Sequence, residues 1–184
     1  MNLFNKMIKR TLTTLTVLFI LTYTGFGQDV KVKWYTIEEA IELNKKSQRK
    51  IFIDVYTDWC GWCKKMDSGT FNDPTIAKIL NTEFYAVKFN AESRDTIYFG
   101  GKPFINEGPN GRNPHQLAIA LLQGRMSYPS VAYLNEQSQL LTTVPGYMTP
   151  ESIEPILMFF AADAYKNQTF EDFTKQFVSN VKSQ

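Results

Sequence analysis

Cysteine and histidine are scarce in this chain. Its 184 residues include two cysteines and one histidine, so the four Cys or His ligands of a structural zinc site are not available. After residue 27, no apolar run is long enough to cross a membrane, and the sequence has no internal repeat and no low-complexity tract. What remains is a chain with 43% hydrophobic and 14% aromatic residues, enough for one domain with its own core.

The net charge argues against nucleic acid as a partner. The formal charge is +2, and three of the basic residues (Lys6, Lys9 and Arg10) lie in the first 27 residues, which contain no acid. Without that segment, 17 basic residues face 18 acidic ones. A domain so close to neutrality has no electrostatic basis for binding nucleic acid.

The first 27 residues have the layout of a secretory signal peptide. A basic stretch ends at Arg10, an apolar run rich in threonine follows, and Gly25 and Gly27 place small residues before a cleavage point. We therefore expect a signal peptide over 1–27 and a mature, periplasmic or secreted domain over 28–184. An uncleaved N-terminal anchor is the alternative.

Strand and helix signals alternate along the rest of the chain. Strands are predicted at 30–35, 51–56, 84–89, 131–134 and 140–144, and helices at 37–47, 60–66, 74–80, 114–122, 149–160 and 170–181. Glycine and proline are frequent over 91–112, which we expect to be a loop. This order predicts an α/β fold in which helices cover both faces of a central mixed sheet.

The two cysteines lie three residues apart, in Cys60-Gly61-Trp62-Cys63, directly after the strand predicted at 51–56. A disulfide across so short a loop stabilises a fold very little. A thiolate at a helix start, in contrast, is stabilised by unpaired amide groups and by the helix dipole. We expect Cys60 to be an exposed attacking thiol with a lowered pKa, and Cys63 to resolve its mixed disulfides. An inert disulfide and a metal site are the alternatives.

Residues 52–64, Phe-Ile-Asp-Val-Tyr-Thr-Asp-Trp-Cys-Gly-Trp-Cys-Lys, resemble the active-site strand, turn and helix of thioredoxins. The continuation Thr-Phe-Asn-Asp-Pro at 70–74 is similar to the C-terminal thioredoxin-like domain of periplasmic thiol:disulfide interchange proteins. The resemblance covers residues 30–163. It implies a thioredoxin fold, exchange of electrons between a dithiol and protein disulfides, and no bound cofactor.

The resemblance also implies roles for residues outside the motif. Asp54 corresponds to the family's buried acid, which moves a proton to or from Cys63, and Lys88 corresponds to the lysine that pairs with this acid. Pro129 corresponds to the family's cis-proline, where the backbone of Tyr128 pairs with an extended substrate segment. The alternatives are an ordinary strand acid, a solvated lysine and a trans-proline.

Aromatic residues near the motif suggest a surface for partner polypeptides. We expect Trp59, Trp62 and Tyr128, together with Met148, to form an exposed apolar rim, although core packing explains each of them equally well. His115 is expected at the surface or as a helix cap. Gly146 matches a family glycine beside the site, and an ordinary turn glycine is the alternative.

The residues between the cysteines bear on the direction of electron flow. Gly-Trp replaces the Gly-Pro common in thioredoxins and lacks the histidine of disulfide isomerases and strong oxidases, which favours the reducing direction. The sequence thus predicts an oxidoreductase for protein disulfides that receives electrons from an unidentified donor protein. A chaperone-like binding module with a passive disulfide, and an oxidase or isomerase, are the alternatives. The long region 91–126 is either a partner surface or an elaborated loop.

Overall fold

A computed structural model of the protein describes residues 30–108 and 113–182. The signal peptide expected over 1–27 lies outside the described residues and stays a prediction. Within the two described ranges, none of the helices combines the length and the apolar character that a bilayer crossing requires.

Strands and helices alternate over most of the chain. The strands of the described residues are β1 (Trp34–Tyr35), β2 (Lys50–Tyr56), β3 (Phe84–Asn90), β4 (Ile97–Phe99), β5 (Lys102–Phe104), β6 (Ser130–Leu134) and β7 (Leu140–Pro145). Their α-helices are α1 (Ile37–Lys46), α2 (Gly61–Ser68), α3 (Pro74–Glu83), α4 (Gln116–Leu121), α5 (Pro150–Ala161) and α6 (Phe170–Gln176). Short 3-10 turns follow α2, at Thr70–Asn72, and α5, at Ala164–Lys166.

Five of the strands form one mixed sheet in the order β1-β3-β2-β6-β7. β1 and β2 run parallel to β3, whereas β6 is antiparallel to both β2 and β7. The predicted α/β fold with a central mixed sheet is confirmed. In this sheet β2 is the middle strand, and its register places Asp54 beside Lys88 of β3 and Val131 of β6.

Side chains of β2 enter two separate hydrophobic cores. Ile51, Ile53 and Val55 pack with buried residues of α1 and α4 on one face of the sheet. Phe52 packs with buried residues of α2, α3 and α5 on the other. Because successive side chains of a strand point to opposite faces, this two-sided burial explains why β2 is almost continuously apolar. Asp54 follows Phe52 on the second face and is the acid within this run.

Most helices begin where the sequence places a capping residue. Thr36 and Glu39 form the capping box of α1. Asp73 caps α3, with Pro74 in the first turn, and Thr149 caps α5. These helix starts were predicted from the sequence and are confirmed.

The start of α4 differs from the prediction of a helix over 114–122, because the helix begins at Gln116. The N-cap residue is His115, whose Nδ1 accepts a hydrogen bond from the Leu117 amide at 3.1 Å. Its Nε2 lies 3.0 Å from the carbonyl oxygen of Asp95. His115 is therefore a cap, as one expectation held, but it is fully buried rather than at the surface.

Two strand predictions need correction. β1 comprises only Trp34–Tyr35, because the backbone of Lys31 and Lys33 pairs with the Asn81 side chain instead of a neighbouring strand. Part of the predicted loop forms the hairpin β4–β5. Its turn contains Gly100 and Gly101, both with positive φ, so the glycine signal was correct for the turn. Strands of three residues are too short to show an alternating pattern.

A buried carboxylate on α5 holds the C-terminal part of the described chain. Glu154 is fully buried and accepts hydrogen bonds from the Ser179 hydroxyl and from the Asn180 and Val181 amides. These amides therefore bond to a side chain and do not continue a helix. This explains why α6 ends at Gln176 rather than near residue 181 as predicted.

Replacement of Glu154 by alanine should release this segment. The variant leaves the Asn180 amide without its acceptor and removes one of the two acceptors of the Val181 amide, and we expect the free energy of unfolding to fall by about 2–4 kcal/mol. Urea denaturation measures the loss, and hydrogen exchange at the Asn180 and Val181 amides should become faster. Glu83→Ala, at an exposed helix end, is the control and should change stability by less than about 0.5 kcal/mol. Equal losses in the two variants would contradict the anchoring role.

Candidate active site

Strand β2 leads directly to the cysteine pair. A short turn over 57–59 joins β2 to α2, and the Cys60 amide donates to the Thr57 carbonyl at 3.1 Å. Cys60 has extended backbone angles and is the N-cap residue of α2. Its Sγ accepts a hydrogen bond from the Cys63 amide at 3.1 Å. The sulfur thus occupies the place of a capping oxygen and faces the unpaired amides of the first helical turn.

Cys60 and Cys63 form a disulfide, with their Cα atoms 5.3 Å apart. The two residues retain only 4% and 2% of their accessible surface, so the expectation of an exposed Cys60 is wrong for this oxidised state. The reason is that Sγ turns towards the helix amides and its bonded partner. The intervening Gly61 and Trp62 are exposed, and the space where a Cβ of Gly61 would lie is open. The disulfide therefore lies directly beneath an accessible surface.

Asp54 is the buried acid of β2, with 1% of its surface exposed. One carboxylate oxygen accepts a hydrogen bond from Lys88 Nζ at 2.6 Å, and the other has no partner among the described residues. Burial raises the pKa of Asp54 from 3.8 to about 6, although the neighbouring Lys88 ammonium acts in the opposite direction. A carboxyl group with this pKa can take up and release a proton near neutral pH.

Lys88 joins the sheet to the cysteine-containing helix. Its ammonium contacts Asp54 of β2 and Asp67 of α2, and it lies 4.8–5.4 Å from the ring centres of Trp34, Tyr56 and Phe71. Burial lowers the pKa of Lys88, but the two carboxylates outweigh this effect and raise it, so the lysine stays charged. Sequence reasoning missed Asp67, although it lies four residues after Cys63 and hence on the same side of the helix.

Pro129 precedes β6, and the Tyr128–Pro129 peptide bond is cis, which agrees with the expected geometry. The Pro129 carbonyl accepts a hydrogen bond from the Gly146 amide at 2.8 Å. Gly146 has φ +97°, a conformation that favours glycine. The structure therefore brings the start of β6 and the end of β7 together. The role of Pro129 and Tyr128 in substrate binding stays a prediction.

Two Trp–Tyr pairs connect the cysteine motif to these strand ends. Trp59 packs edge-on against Tyr128, with ring centres 6.0 Å apart, and Trp62 packs against Tyr147 at 5.2 Å. Trp59 and Trp62 are 67% and 57% exposed, so both lie at the surface. Met148 does not join them, because it is buried and its carbonyl accepts a hydrogen bond from Thr70. Its neighbour Tyr147, which sequence reasoning missed, takes that position.

Together, the mixed sheet, its flanking helices and the disulfide at the start of α2 define a thioredoxin-fold protein with a Cys-x-x-Cys pair. A family model, Thioredox_DsbH, described as a protein of unknown function, DUF255, matches residues 21–160. The chain belongs to this family.

Solved structures show the same fold at low sequence identity. A DsbH oxidoreductase superimposes with a TM-score of 0.51 at 16% identity, over 75% of this chain and 87% of that one. A thioredoxin of Thermus thermophilus gives 0.54 at 15%, over 72% and 89%. A thioredoxin-fold protein of Helicobacter pylori gives 0.54 at 16%, over 84% and 90%.

Curated relatives match over a shorter segment. Spermatogenesis-associated protein 20 of Homo sapiens is 31% identical over 67 residues, which are 36% of this chain and 8% of that protein. The thiol:disulfide interchange protein DsbD of Vibrio vulnificus is 34% identical over 44 residues, which are 24% of this chain and 7% of that protein. The matches thus span less than a tenth of the length of these relatives.

Stability should depend on pH through Asp54. Because its pKa in the fold, about 6, lies above the ordinary 3.8, the folded state holds the proton more tightly, and this stabilisation is lost as pH rises from about 4 to about 6. We expect Asp54→Asn, which stays neutral, to raise the free energy of unfolding above pH 7 by up to about 3 kcal/mol. The advantage should vanish near pH 4.

Urea denaturation of both proteins across this pH range tests the prediction. Glu83→Gln is the control, because Glu83 is exposed at the end of α3 and its replacement should change stability by less than about 0.5 kcal/mol. A difference between wild type and Asp54→Asn that does not change with pH would contradict the raised pKa.

Proposed function

We propose that this protein is an extracytoplasmic thiol–disulfide oxidoreductase that reduces disulfides in other polypeptides. The observation that carries the proposal is the Cys60–Cys63 disulfide at the start of α2, where the Cys60 sulfur faces the helix amides beneath an open surface at Gly61. Protein disulfides are the proposed substrates, and a donor protein returns the electrons.

The proposed reaction has two exchange steps. In the reduced protein, the Cys60 thiolate attacks one sulfur of the substrate disulfide, forms a mixed disulfide and releases the first substrate thiolate. The Cys63 thiolate then attacks the Cys60 sulfur, which releases the second substrate thiolate and forms the Cys60–Cys63 disulfide. Two electrons pass to the substrate. A reduced donor dithiol restores the protein by the reverse chemistry.

Asp54 and Lys88 serve the second step in this proposal. Cys63 must lose its proton before it can attack, and a carboxyl with a pKa of about 6 is ionised at neutral pH and able to accept that proton. Lys88 is a positioning residue, since its hydrogen bond fixes one carboxylate oxygen while the other lacks a partner among the described residues.

The direction of electron flow and the cellular location are proposed from features of the sequence. The reducing direction is supported by the absence of a histidine between the cysteines, which leaves the Cys60 thiolate with one source of stabilisation fewer. A location outside the cytoplasm is supported by the signal-like layout of residues 1–27.

A second candidate function is a binding module with a passive disulfide. The observation that favours it is the exposure of Trp59 and Trp62, which would suit contact with unfolded polypeptides. This candidate does not require electron transfer through the cysteines, so activity assays on cysteine variants separate the two functions.

Reduction of insulin by dithiothreitol tests the proposed activity. We expect the wild type to accelerate the reaction and Cys60→Ser to abolish the acceleration, because the attacking thiolate is lost. Cys63→Ser should instead accumulate mixed disulfides with its substrates, which mass spectrometry detects. Ser68→Ala, on the same helix, is the matched control and should retain activity. Equal rates for wild type and Cys60→Ser would favour the binding module.

A further inference from the structure

Charges near the disulfide fall into two groups. Lys88, Asp54 and Asp67 take part in ion pairs, in which the one ammonium contacts both carboxylates. Glu92 and Lys65 do not: among the ion pairs of residues 30–108 and 113–182, neither takes part. Both lie against the aromatic residues that flank the cysteines. Their charges are therefore available to a molecule that approaches the disulfide.

Glu92 contacts the Trp59–Tyr128 pair. Trp59 Nε1 donates a hydrogen bond to one Glu92 carboxylate oxygen at 3.0 Å. The Glu92 backbone is itself fixed, since its amide donates to the Asn90 side chain at 2.9 Å. After burial, the negative charge of Glu92 is the second cause that raises the pKa of Tyr128, which places this charge close to the ring. One end of the aromatic surface is therefore acidic.

Lys65 contacts the Trp62–Tyr147 pair. Its Nζ lies 4.9 Å from the ring centre of Trp62 and 5.2 Å from that of Tyr147, so cation–π contacts hold the ammonium at these rings. Lys65 is exposed, and so is the neighbouring Lys64. The second end of the aromatic surface is therefore basic.

The two ends belong to one continuous surface. Trp59 and Trp62 directly precede Cys60 and Cys63, and the hydrogen bond between Gly146 and Pro129 joins the segments that carry the two tyrosines. A polypeptide bound across Cys60 would thus meet an aromatic residue on each side of its own cysteine. It would also meet a negative charge at one end and a positive charge at the other.

We propose that the protein selects substrate disulfides whose cysteine lies between a basic residue and an acidic residue. The basic residue is on the side of the substrate that reaches Trp59, and the acidic residue is on the side that reaches Trp62. Apolar residues next to the substrate cysteine would contact the Trp–Tyr pairs. This inference rests on the proposed reductase function and names its substrate class. The exchange itself is the two-step reaction given above, with dithiothreitol as the source of two electrons in the assay.

Peptide disulfides of defined charge test the proposal. Symmetric dimers of a short peptide, with tyrosine on each side of one cysteine, carry Lys/Asp, Asp/Lys, Lys/Lys, Asp/Asp or Ser/Ser at the outer flanks. We expect either the Lys/Asp or the Asp/Lys peptide to have the lowest KM of the five. Its KM should be below that of the Ser/Ser peptide by about 2- to 5-fold for each charge, with little change in kcat. The preference should shrink at about 1 M salt because the charges are exposed.

Variants of Glu92 and Lys65 test which protein residue recognises each charge of the peptide. Glu92→Gln keeps an acceptor for Trp59 and should raise KM about 2- to 5-fold for the preferred peptide but not for Asp/Asp. Lys65→Met should raise KM for the preferred peptide but not for Lys/Lys. Lys78→Met and Glu83→Gln, both exposed on α3, are the matched controls and should leave every KM unchanged.

The outcomes separate the two proposals. Equal KM values for all five peptides, or a preference that Glu92→Gln and Lys65→Met do not alter, would overturn the charge selection while insulin reduction still supports the reductase. A failure to reduce both insulin and every peptide would overturn the reductase function, and the charge selection with it.

Discussion

The unpaired amides at the start of α2 are the feature on which the candidate site depends. An α-helix leaves its first amide groups without partners inside the helix, and at α2 the side chain that meets them is a sulfur, that of Cys60. β2 ends at Tyr56, only four residues earlier, so the middle strand of the sheet fixes where this sulfur lies. The same short connection sets Trp59 at the surface beside it. The chemistry therefore follows from the position of a helix start relative to a buried strand.

Burial of the middle strand also raises the pKa of Asp54. β2 is covered on both faces, and a carboxylate placed there loses its hydration, a loss that Lys88 offsets only in part. The result is an acid that titrates near pH 6 rather than near 4. Asp67 binds the same ammonium from α2, so one lysine ties the sheet to the cysteine-containing helix. A hydrophobic core and a proton acceptor are thus two consequences of one arrangement.

Helix starts and the strand–turn–helix motif could be predicted from the sequence, because neighbouring residues determine them. Contacts between distant segments could not be predicted. The helix starts at Asp73 and Thr149 are set by one side chain and amides within three residues, so sequence alone predicts them. The motif around Cys60 combines a buried run with a helix start, and it predicted the strand–turn–helix order. In contrast, the contact between Trp62 and Tyr147 joins residues 85 positions apart. The anchoring of the C-terminal segment by Glu154 is likewise decided by tertiary packing.

The most direct test of the account is the pKa of the Cys60 thiol in the reduced protein. Alkylation by iodoacetamide between about pH 4 and about pH 10, with each cysteine followed by mass spectrometry, measures it separately from Cys63. The account predicts that Cys60 reacts with a midpoint clearly below the value of about 8.5 for a free cysteine, because the helix amides stabilise its thiolate. A midpoint at or above about 8.5 would contradict it, since the helix start would then contribute nothing to reactivity.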